Sequence, residues 1–227
     1  KAGGLIGSRW DDCESDNPLA HRLGYIFESE PEISGHVEDG YDHELGGVEV
    51  TLIDVSSGSQ TTEAVTITDD EGEYSFSGID TGDYQIEIAL ECHRTAGDTA
   101  IFSVNYDTGA PVHVQTETFE VTDGMVSRYI SFADPNLIPA AGIPQDHLDD
   151  LAAMYYHSKQ VIDFEWTELG FTPDLILPIV VHGYTSNGQQ DVYYSGNDGD
   201  IYVGAGCSDY ADPDRPSNPR AAEGGGF

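Results

Sequence analysis

Residues 33–90 read ISGHVEDGYDHELGGVEVTLIDVSSGSQTTEAVTITDDEGEYSFSGIDTGDYQIEIAL, and this stretch decides the fold. Apolar and polar residues alternate along it, as in Val48-Glu49-Val50-Thr51-Leu52 and Tyr84-Gln85-Ile86-Glu87-Ile88. A period of two sends one set of side chains to a buried face and the other to water, which predicts half-buried strands. Gly46-Gly47, Ser57-Gly58, Glu71-Gly72 and Thr81-Gly82-Asp83 supply turn chemistry between them. Short strands at this spacing predict an antiparallel β-sandwich.

Working outward, Leu23-Gly24-Tyr25-Ile26-Phe27 predicts an entering strand behind an arm over 1–22, in which Gly3-Gly4 and Asn17-Pro18 interrupt any regular element. Beyond Leu90, Ala100 to Tyr106 and Val112 to Val121 predict two strands of a hairpin, turned by Asp107-Thr108-Gly109-Ala110-Pro111. Met125 to Phe132 closes the sandwich, so the β domain is expected over 23–132.

The order Ile33-Ser34-Gly35-x-Val37, Leu45-Gly46-Gly47-Val48-x-Val50-x-Leu52, Thr68-Asp69-x-x-Gly72-x-Tyr74-x-Phe76 and Gly82-x-Tyr84 resembles a B-type repeat of prokaryotic surface proteins, close to carboxypeptidase regulatory-like and transthyretin-like sandwiches. The resemblance covers residues 33–90. It implies export and calcium binding at strand-connecting loops. It does not choose among stalk, spacer, adhesin and accessory domain, because such folds host many functions.

After Phe132 the pattern changes. Asp134-Pro135-Asn136 and Ile138-Pro139 mark a linker over 133–144. From Gln145, Leu148, Leu151, Ala152, Tyr155, Lys159, Ile162, Trp166 and Leu169 recur at three- and four-residue steps, one face of a helix of roughly 24 residues. Asp146, Asp149 and Asp150 suit its N-terminus, and Gly170 suits its end. Leu175 to Val181, Val192 to Tyr194 and Ile201 to Val203 then predict a small sheet, with Asn197-Asp198-Gly199-Asp200 as a tight turn. This region, expected as a second lobe over 145–227 with a glycine-rich tail, resembles the opening lobe of thermolysin-like secreted zinc metallopeptidases. The zinc-binding H-E-x-x-H of that family is replaced by Ala222-Glu223-Gly224-Gly225-Gly226, so neither zinc nor peptidase activity is expected.

Charge sets the working conditions. The chain carries 42 acidic against 8 basic residues, net -34, with Lys1 and Lys159 its only lysines. Repulsion at this density is relieved by salt, so the composition fits a protein built for brine or for divalent cations. It disfavours nucleic acid and anionic membranes, which need basic patches. No apolar run reaches the roughly 20 residues of a membrane span. The chain begins at Lys1 without a signal peptide and is expected to be a mature or excised form.

Two acidic loops are the candidate calcium sites: Asp39, Asp42 and Glu44 beside Glu38, and Asp69, Asp70, Glu71 and Glu73 around Gly72. Neither has EF-hand spacing, and the competing reading is a solvated acidic surface. The histidines have no zinc spacing, and no G-x-S-x-G elbow occurs. Three cysteines permit one bridge; Cys13 with Cys92 is the favoured pair, beside the alternative of three buried thiols. No lysine lies between Lys1 and Lys159, which excludes a lysine isopeptide staple within the sandwich.

These observations predict an extracellular, acidic, non-enzymatic structural protein stabilised by calcium. It is expected to assemble with itself into a filament or array, with Leu5, Ile6 and Trp10 in the arm adding to a strand edge; an adhesion partner is not specified. The alternative is an accessory domain and opening lobe of a secreted zinc metallopeptidase.

Overall fold

The computed structural model describes residues 31–107, 109–122, 124–167, 179–185, 192–194 and 200–204. The expected arm, the strand at 23–27, Cys13, Cys207 and the glycine-rich tail lie outside them. The protein is mainly β, a transthyretin-like sandwich with one long helix among the described residues.

The first sheet has the order β4-β1-β9, from Glu73–Ser77, Glu32–Glu38 and Met125–Ser131. Strand β1 runs antiparallel to β4 and parallel to β9. In the second sheet β2 (Val48–Asp54) lies between β3 (Thr61–Ile67) and the long β5 (Gly82–Cys92). The other edge of β5 is shared in turn by β8 (Phe119–Val121), β7 (His113–Gln115) and β6 (Phe102–Tyr106). The expected hairpin is therefore only its turn: Val112 N–H donates to Val104 C=O at 2.9 Å, and the chain then crosses to pair with β5. That exchange satisfies the free edge of β5 along its whole length.

Alternation delivers the core as the sequence implies. Ile33 and Val37 of β1, Tyr74 and Phe76 of β4, and Ile130 of β9 are buried in one cluster with Val50, Leu52, Ile86 and Ile88. Burying a Val, Leu or Ile side chain contributes roughly 1.5–3 kcal/mol each.

Helix α1 (Leu148–Thr167) follows a 3-10 turn at Gln145–His147 and the short β10 (Ile138–Pro139). Its residues Leu148, Leu151, Ala152 and Tyr155, spaced as one helical stripe, are fully buried in the same cluster as the sandwich residues. Strand β11 (Ile179–Thr185) runs parallel to β6, and the helix lies in the crossover such a pair requires. Next come β13 (Ile201–Gly204), parallel to β11, and β12 (Val192–Tyr194), antiparallel to β13. The small sheet expected after the helix is thus continuous with the sandwich. Its first strand begins, among the described residues, at Ile179.

Candidate functional site: an outward face on the three-stranded sheet

The two acidic loops are built from their own carboxylates. Asp39 is fully buried; its Oδ1 accepts the backbone N–H groups of Tyr41 (2.8 Å) and His43 (2.9 Å), and Oδ2 lies 2.7 Å from His43 Nδ1. Asp42, the residue at the tip, has φ 65, a conformation Asp tolerates better than most. In the second loop Asp69 Oδ1 accepts N–H from Glu71 (3.1 Å) and Glu73 (2.9 Å), while Asp70 faces Lys159 Nζ at 3.4 Å. Glu44, Glu71 and Glu73 are exposed.

Among the described residues no group of three or more His, Cys, Asp or Glu side chains is placed to hold a metal ion. The acidic loops are accounted for by turn hydrogen bonding, and calcium there remains an expectation from sequence. Asp39 and Asp69 each turn Oδ1 to backbone N–H groups, the hydrogen bonding that makes Asp a turn residue. The same local chemistry explains the Thr68-Asp69-x-x-Gly72 motif. Thr68 Oγ1 donates to Leu45 C=O at 2.6 Å and accepts from Val48 N–H at 3.0 Å. Gly72 has φ +73, and a Cβ there would lie 2.6 Å from the Val37 carbonyl oxygen.

What the sequence did not single out is the opposite side of the first sheet. Inward residues of β1, β4 and β9 leave the alternate positions facing water, and register aligns these across three strands. Ser34 pairs with Ser75 and with Ser127, forming a row of hydroxyls. One step along, His36 pairs with Glu73 and with Tyr129. The two rows, with Thr66, Ile67 and Asp69 at the end of β3, line an open groove of about 540 Å³.

At the β9 side of the groove the His36 and Tyr129 rings stack, centroids 5.5 Å apart and planes 3° from parallel. Tyr129 is nevertheless 62% exposed. Hydrogen bonding toward the Glu38 carboxylate first, then burial and the charges of Glu38 and Asp42, pushes its phenol up to about 12. A ring stacked on one neighbour and still open to solvent is a pre-organised contact surface. Below it, Tyr74 sends its hydroxyl to Arg128 C=O at 2.9 Å through the space left by Gly35, and burial raises its phenol strongly.

Cys92 is a buried free thiol whose ionisation is pushed up by burial; its favoured partner Cys13 lies outside the described residues. The arm residues Leu5, Ile6 and Trp10 lie outside them as well.

Residues 32–121 match the family model of the carboxypeptidase regulatory-like domain. The match takes in β1 to β8, including the two acidic turns and two of the three strands under the groove. It ends before the helix, so the resemblance of 134–227 to a peptidase lobe gains no support from it. No curated protein matches the chain. Among solved structures, a DUF3823 family protein from Bacteroides uniformis is 17% identical, with 45% of this chain and 42% of that one covered and a TM-score of 0.32. Transthyretin from Sparus aurata is 15% identical over 48% of this chain and 97% of its own, TM-score 0.26. A minor pilin of Streptococcus agalactiae is 21% identical over 51% and 47%, TM-score 0.24. The chain thus spans under half the length of the Bacteroides protein.

Proposed function

We propose that this chain is a salt-adapted, non-catalytic β-sandwich module of an exported protein, serving as a scaffold at or outside the cell surface. The observation that carries this reading is the disposition of charge. Glu63, Glu73, Asp83, Glu87, Glu91 and Glu120 occupy non-buried strand positions outside the hydrophobic cluster. The described cations are Arg94, Arg128 and Lys159, and Arg128 is drawn over the Phe119 ring at 4.1 Å. Such a surface is stable where salt screens it, and it repels anionic partners. No helix among the described residues is long and apolar enough to cross a membrane.

Self-association belongs to the same reading. Strand β9, seven residues long, has β1 on one side and no second strand partner among the described residues. An edge of that length can accept an added strand from another copy.

Fractionation of the producing cells with an antibody to the chain tests the reading. Recovery in the medium or on the cell surface is expected, together with no release of peptides from casein by the purified chain. Retention in the cytosol, or chelator-sensitive proteolysis, contradicts it.

A further inference from the structure

We propose that the groove on the outer face of β4-β1-β9 binds a neutral polysaccharide, with the Tyr129 ring as its stacking platform and the Ser75-Ser34-Ser127 row as its hydroxyl-binding floor.

The lining chemistry selects the ligand class by elimination and by fit. Asp69 and Glu73 line the groove, Glu38 stands at Tyr129, and no Lys or Arg lines it, so an anionic ligand meets repulsion with nothing to offset it. A purely apolar ligand would find Ile67 and two tyrosines among serines, a threonine and carboxylates, in a groove open to water. A metal ion lacks a ligand group there.

A neutral sugar supplies what remains. Its ring has an apolar C–H face and a rim of hydroxyls, the pairing an exposed aromatic beside hydrogen-bonding groups accommodates. Serine hydroxyls can donate or accept, and the carboxylates of Asp69 and Glu73 can each take sugar hydroxyls. The volume of about 540 Å³ falls within the ~300–1,000 Å³ span of small-ligand clefts. Because the Tyr129 ring already stacks on His36, binding orders little that is mobile. The groove crosses three strands and is open, so it suits a run of a long chain rather than an enclosed terminal sugar.

This inference adds a ligand to the scaffold reading and does not need self-association. The test is native electrophoresis of the 227-residue chain, in molar potassium chloride, through gels containing soluble mannan, β-glucan, xylan or hydroxyethylcellulose. Polygalacturonate serves as the anionic comparison. Retardation by at least one neutral polymer and none by polygalacturonate is expected. Tyr129→Ala should weaken that retardation by about tenfold or more. Ser34→Val, which fills the floor without removing the platform, should also weaken it, and Gln60→Ala on β2–β3 connecting chain should not. Circular dichroism melts of each variant show that the sandwich is intact. Absence of retardation by every neutral polymer overturns the proposal and leaves the scaffold reading standing. So does unchanged binding by folded Tyr129→Ala, or equal binding of polygalacturonate.

Discussion

The hydroxyl of Tyr155 donates to the carbonyl oxygen of Gly46 at 2.9 Å, joining helix and sandwich across 109 residues of sequence. Tyr155 is fully buried, its ring 5.0 Å from that of Phe102, and burial drives its phenol well above the ordinary value. Removing the hydroxyl leaves a carbonyl facing an apolar wall. Tyr155→Phe is expected to lower the unfolding free energy by about 1–3 kcal/mol. Tyr155→Ala should cost about 3–5 kcal/mol, as for a large core ring. Urea unfolding followed at both helical and aromatic signals checks this, with the two signals moving together.

Gly35 marks where two sheet neighbours need the same space. An added Cβ would collide with Arg128 C=O and the Tyr74 hydroxyl, both of which are fixed by their mutual hydrogen bond. Gly35→Ala should therefore destabilise by about 1–3 kcal/mol or more, by forcing β1 and β9 apart. Gly58→Ala, where φ is +77 but no neighbour lies near, should cost less, which separates crowding from backbone preference.

Asp39 discriminates a turn former from a metal ligand. Its carboxylate accepts two backbone N–H groups and faces His43. Asp39→Ala should destabilise by about 1–3 kcal/mol whether or not calcium is present. A loss seen only in calcium would instead make Asp39 a ligand.

Alkaline pH supplies a signed expectation. Tyr74, Tyr84, Tyr106, Tyr129 and Tyr155 all have raised phenols, Tyr129 to about 12. Above the ordinary tyrosine value of 10.0 the folded chain holds more protons than the unfolded one, so stability falls as pH rises. Their contribution is fully present below that value and is lost as pH rises above it, through about 12 for Tyr129 and higher still for Tyr74 and Tyr155. Spectrophotometric titration of Tyr129→Phe against the parent should remove one late-titrating phenol.

The sandwich was legible because its information is local. Val48 to Leu52 and Tyr84 to Ile88 show their buried face by alternation alone, and the helix shows its stripe at Leu148, Leu151, Ala152 and Tyr155. The groove was not, because it depends on register. Ser34 and Ser127 stand 93 positions apart, and nothing local says that β1 and β9 run parallel and in step. The acidic loops read two ways for a different reason. Asp39 and Asp69 have the composition of cation ligands, yet each caps backbone N–H groups within four residues of itself. The spacing of Asp39 to Tyr41 and His43 was the available signal. The continuity of β6 with β11 was hidden too, since parallel strands separated by a helix carry no turn between them to announce the pairing.

Whether screened surface charge holds the fold is read from a salt series: thermal unfolding of the 227-residue chain from low to molar potassium chloride, repeated with calcium chloride at matched ionic strength. At 1 M the Debye length is about 3 Å, short enough to mute repulsion between neighbouring carboxylates. One transition is expected, seen alike by helix and aromatic signals. Its midpoint climbs with salt and is the same for both salts at equal ionic strength. A midpoint indifferent to potassium chloride, or one raised by millimolar calcium alone, contradicts a fold held by screened surface charge.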